Sequence, residues 1–79
     1  MMECFENLDD AISDLKKDFE KIFDRTYGKG NFCLINLIDL VECSKTLASL
    51  YLSKGSIFEK NKYDSIGDSA LTALNNNYN

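Results

Sequence analysis

The stretch FCLINLIDLVECSKTLASLYL, residues 32–52, decides the fold. Its apolar residues are interrupted by Asn36, Asp39, Glu42, Thr46 and Ser49, and Ser53 follows, so polar positions recur every three or four residues. That recurrence is the period of an α-helix, and it confines the polar side chains to a narrow stripe. A helix that is apolar around most of its circumference has to be covered on more than one side. Asp39, Glu42 and Lys45 sit near its middle, and central charges are costly in a bilayer, which argues against a transmembrane segment. The segment therefore reads as the central helix of an all-α protein, capped by Asn31, running to about Lys54 and closed by Gly55.

Upstream lies the stretch FENLDDAISDLKKDFEKI, residues 5–22. Phe5, Leu8, Ile12, Leu15, Phe19 and Ile22 alternate at three and four, which lines them along one face of a helix with charged residues between. Asn7 is the expected N-cap, with Asp9 and Asp10 in the first turn. Asp14 with Lys17, Lys16 with Glu20, and Asp18 with Lys21 are spaced to pair along the outer surface. Gly28 and Gly30 end this helix near Tyr27, and a short turn folds it back on the central one as an antiparallel hairpin.

The C-terminal third is less regular. Ser56 with Glu59 and Ser65 with Asp68 both match a capping box, so two short pieces are expected, over 57–63 and 66–75, with a break near Asp64. Ile66, Ala70, Leu71 and Leu74 are expected to face inward, and Gly67 to weaken the second piece. The expected architecture is a helical hairpin plus a shorter C-terminal helix, a three-helix bundle over residues 1–74 with a flexible asparagine-rich tail at 75–79. Seventy-nine residues bury only a little over ~60% of their unfolded surface. Assembly as a dimer or higher oligomer is the expected source of further stability.

Chemistry is excluded more readily than assigned. The chain has no histidine and three cysteines, Cys4, Cys33 and Cys43. Cys33 and Cys43, ten positions apart on one helix, are separated by about 15 Å, too far to bond within the chain. Three thiols without histidine do not complete a zinc site unless a carboxylate joins them. Counted from Asp24, the Gly28-Lys29-Gly30 region fails the calcium-loop pattern at positions 5, 6 and 12, and it lacks the phosphate-loop spacing. Asp39 with Glu42, and Asp64 with Asp68, read as solvated surface acids. The sequence thus names no catalytic residue, no cofactor and no metal, and it reads as a non-enzyme.

The net charge of −4 is uneven: residues 1–24 carry −5 and the remainder +1. An acidic first helix repels nucleic acid, so direct nucleic-acid binding is not expected. Reduced thiols and the absence of a basic leader suit a cytoplasmic protein. The segment Glu59-Lys60-Asn61-Lys62-Tyr63, followed by an acidic residue, is similar to a stretch in the Hha/YmoA family of small helical nucleoid-associated modulators. That similarity spans five residues, the family's basic N-terminal residues are missing here, and no functional residue is carried across. The reading that remains is a small helical interaction protein, a regulator, adaptor or inhibitor that docks on another protein. Leu34, Ile38, Val41, Leu47, Tyr51 and Phe58 are its candidate partner contacts. The composition is in keeping with an accessory protein of a virus or mobile element. Two alternatives stand beside it. One is an acidic transcription or nucleoid modulator that imitates DNA through Asp9, Asp10, Asp14, Asp18 and Glu20. The other is a soluble regulator of a membrane protein.

Overall fold

The computed structural model describes the backbone of residues 3–78 and the side chains of residues 8–77. Three long helices follow one another: α1 Glu3–Phe23, α2 Leu34–Lys54 and α3 Ile57–Tyr78. Among the described residues there is no strand, and no helix is long and apolar enough to cross a membrane. The side chains of Cys4, Phe5 and Asn7, and residue 79, lie outside the described set.

The central position of α2 follows from its composition. Leu37, Leu40 and Leu47 are fully buried, and Cys43, Ala48 and Tyr51 nearly so. α1 supplies Ile12 and Phe19 to this core, with Leu8, Leu15 and Ile22 partly buried beside them. The three–four stripe of the first helix therefore faces inward as its spacing demands. α3 supplies Tyr63 and Ala70, with Ile66, Ala73 and Leu74 packed alongside. Leu71, expected inward, is 40% exposed. The second covering that α2 needs comes from α3 of the same chain.

Helix ends explain the two reversals. At the end of α2, Gly55 adopts a left-handed φ of 87°. Its N–H donates to Leu52 O at 3.0 Å, and the Ser56 N–H donates to Tyr51 O at 2.9 Å. Glycine takes this conformation without a Cβ penalty, and the paired bonds satisfy carbonyls a helix end otherwise leaves open. The exit from α1 is different. One wide turn, Asp24–Gly28, continues the helix with i to i−5 bonding, and the Lys29 N–H donates to Asp24 O at 2.9 Å. Buried Thr26 donates its hydroxyl to Ile22 O at 2.8 Å, a back-bond that competes with regular helical pairing. The cap of α2 is Cys33 rather than Asn31. Asn31 instead accepts from buried Asn36 Nδ2 at 3.0 Å, which removes Asn36 from the wet stripe of α2.

α3 corrects the sequence reading most. It is one helix of 22 residues, longer than α2, with no break at Asp64 and with 75–77 still helical. Gly67 is the reason. A Cβ there would lie 3.3 Å from Ser44 Cβ and 3.2 Å from Lys45 Cε, so glycine lets α2 and α3 approach backbone to backbone. Asp68, read as part of a capping box, instead accepts from Lys45 Nζ at 2.7 Å, as does Asp64. Lys60 also donates to Asp64, at 3.2 Å. These bonds raise the Lys45 pKa, through Asp64 and then Asp68, and lower that of Asp64, through Lys45 and then Lys60. The lowered carboxyl contributes above its ordinary value and is lost as pH falls through the lowered one. The raised ammonium contributes below its ordinary value and is lost as pH rises through the raised one. The clasp therefore holds across neutral pH.

α1 is tied differently. Lys54 pairs with Asp9 at 2.7 Å and Arg25 with Asp39 at 3.6 Å, both between elements rather than along the outer face of α1. No Cα of α1 comes within 8 Å of a Cα of α3 among the described residues.

The close α2–α3 approach has a testable signature. Ser44 Oγ is sealed within it with no hydrogen-bond partner among the described residues, an arrangement that costs about 1–3 kcal/mol. Ser44→Ala is expected to raise stability by about 1 kcal/mol, while Gly67→Leu is expected to cost about 2 kcal/mol or more by forcing the helices apart. Urea titration followed by circular dichroism measures both, and a stabilising Gly67→Leu would refute the close contact.

Candidate functional site

Because α1 and α3 do not meet backbone to backbone, side chains alone span the space between them. Tyr51 of α2 stacks on Tyr63 of α3, with ring centroids 5.6 Å apart and planes 3° from parallel. Tyr63 meets Phe19 of α1 edge to face at 5.0 Å. From Phe19 the series continues to Phe23 at 5.6 Å, to Tyr27 at 4.9 Å and to Phe32 at 5.3 Å. Six rings thus run from the core to the surface. Aromatic pairs in tilted and edge geometries contribute beyond their buried area. Burial, the largest cause, pushes the Tyr63 phenol up.

Where the rings reach solvent, they open into a groove. Phe23 of α1 and Tyr27 of the wide turn that follows it form one wall, Ser65, Ile66 and Ser69 of α3 the other, and its volume is about 320 Å³. The lining is chiefly apolar with the hydroxyls of Tyr27, Ser65 and Ser69 among it, and Phe23 and Tyr27 are 37% and 38% exposed. A groove of this size between two helices is the usual receptacle for apolar side chains of another helix. Its lining holds the Tyr27 phenol and two serine hydroxyls, and no carboxylate, thiol or basic side chain.

A second, shallow cleft of about 290 Å³ lies between α1 and α2 and carries Asp18, Asp39, Glu42 and Cys43. Cys43 donates its S–H to Leu15 O at 3.6 Å. Burial first, and then the charges of Asp18 and Asp39, push its pKa up to about 11. A thiol in that state is a poor nucleophile at neutral pH. Arg25 and Lys29, beside the α1–α2 turn, are both answered by carboxylates, Asp39 and Asp24. Among the described residues no group of three His, Cys, Asp or Glu side chains is placed to hold a metal ion.

The six contacts expected from sequence separate into two sets. Leu47 and Tyr51 are core, at 0% and 7% exposure, and Val41 is half-buried against them. Leu34, Ile38 and Phe58 reach solvent, Phe58 at 78%. The structure does not gather those three on the groove. Phe23 and Tyr27 are not among those six, because the three–four stripe continues from Phe19 to Ile22 rather than to Phe23. Their spacing from Phe19, four and eight residues, is the available signal: an aromatic row that branches from the stripe at Phe19.

Comparison with family models, with curated proteins and with solved structures finds no match for this chain.

The two described thiols are expected to differ sharply in reactivity. At pH 7.5, chosen as roughly a unit below the ordinary thiol value, iodoacetamide should label exposed Cys33 and spare Cys43 until the protein is unfolded. Peptide mapping of the labelled sites reads the result, and equal labelling of both would remove Cys43 from the α1–α2 interface.

Proposed function

We propose that this chain is a small, non-enzymatic helical protein that regulates, adapts or inhibits a partner protein in the cytoplasm by docking against it. The observation that carries this reading is the apolar α1–α3 groove. A chain that seals its α2–α3 seam tightly nevertheless leaves Phe23 and Tyr27 facing an open channel. Aromatic side chains partly exposed in a concave setting are the kind of anchor on which protein interfaces concentrate their energy. The partner fitting this channel is an amphipathic helix that inserts apolar side chains between Phe23 and Ile66.

A second reading has its own observation. Asp10, Asp14, Asp18 and Glu20 are exposed on α1 and make no ion pair among the described residues, whereas Asp9 is taken by Lys54. A row of unneutralised carboxylates on one helix presents negative charge to a basic cleft, the arrangement an acidic DNA mimic uses.

Affinity capture from the native host separates the two. With groove docking, the natural chain retains its partner through high salt, and Tyr27→Glu loses it by more than tenfold. With acidic docking, salt releases the partner steeply, Asp14→Asn with Asp18→Asn weakens capture, and Tyr27→Glu does not. Capture indifferent to both sets of substitutions would sink the docking role.

A further inference from the structure

On the side of the α2–α3 pair turned away from α1, one long face is uncovered. Leu34, Ile38, Val41, Lys45 and Leu52 recur along α2 at intervals of four, three, four and seven. Ile57, Asp64, Asp68 and Leu71 recur along α3 at seven, four and three. Such intervals hold residues on one side of a helix. Lys45 binds Asp64 and Asp68 at 2.7 Å each and so sets the two stripes side by side. α1 lies elsewhere: it meets α2 where Cys43 donates to Leu15 O, and α3 where Phe19 meets Tyr63. Leu34, Ile38, Leu52, Ile57 and Leu71 remain 37% to 52% exposed.

We propose that a second copy of this chain covers this face, so that α2 and α3 of two protomers form a four-helix core with each α1 outside. Charge selects this occupant. Each chain carries −4, so two copies repel wherever their acidic helices meet. On this face Lys45 and Lys60 are matched by Asp64 and Asp68, a network of zero net charge. Residues 1–24, which carry −5, sit on the helix that stays outside. Exposure agrees. Leu34, Ile38, Leu52, Ile57 and Leu71 are each 37% to 52% exposed along one face, so pairing two copies takes ten such aliphatic side chains out of water before the polar network and rim are added. An antiparallel two-fold arrangement sets the neutral network at the axis and lays the Leu34, Ile38 and Leu71 end of one copy on the Leu52 and Ile57 end of the other.

This pairing goes beyond the docking role and uses a different surface from Phe23 and Tyr27. Sedimentation equilibrium of the full chain across a dilution series tests it. The mass should rise from 9.0 kDa toward twice that value with concentration. Ile38→Asp and Ile57→Asp should each weaken association at least tenfold without loss of helical signal. Phe58→Asp, exposed but off the stripe, should leave it unchanged. Added salt should tighten the dimer by screening the repulsion between two −4 chains. A natural chain that stays at 9.0 kDa at its highest soluble concentration overturns the proposal, as does Phe58→Asp dissociating the dimer as readily as Ile57→Asp. Partner capture by Ile57→Asp reports separately on the groove, so the two ideas fail independently.

Discussion

Ser44 against Gly67 is the contact on which the rest of the architecture depends. α2 is too apolar to stand alone, and α3 covers it by approaching at a point where neither helix carries a large side chain. Ala48 of α2 and Ala70 of α3 are also small and buried in the core. Dense packing along it comes with a sealed Ser44 hydroxyl and a glycine in mid-helix, each unfavourable alone. Dispersion between closely apposed backbones and the Lys45 clasp offset those costs.

A tight α2–α3 pair leaves α1 only one neighbour within backbone reach. α1 therefore packs by long side chains, Ile12, Leu15, Phe19 and Ile22, and reaches α3 where Phe19 extends to Tyr63. The groove beside Phe23 and Tyr27 is the direct result. Asymmetry of packing also sorts the charges. The acidic surface stays on α1, while Lys45, Lys54 and Lys60 are held by Asp9, Asp64 and Asp68. One face of the molecule is thus strongly negative and another nearly neutral, and these faces suit different occupants.

How legible this was in the sequence depended on the kind of signal. The stripe of α1 and the end of α2 at Gly55 were readable, because hydrophobic period and left-handed glycine are local properties. The length of α3 was not. Ser65 with Asp68 and Gly67 are local signs of a break, yet Asp68 is held by Lys45 and Gly67 packs against Ser44 and Lys45, more than twenty residues away. Leu47 and Leu34 look alike in the sequence, yet one is fully buried and the other 42% exposed. That difference rests on where α3 lies, not on either residue.

By itself the sequence determined that the chain is helical, that its middle helix needs covering on more than one side, and that its first helix is acidic on the outside. These follow from spacing and composition, which act within a few turns of chain. Only the tertiary structure decided which helix covers which, because that choice turns on the closest distance two particular side chains allow. The open groove and the neutral face of α2–α3 are both products of that distance.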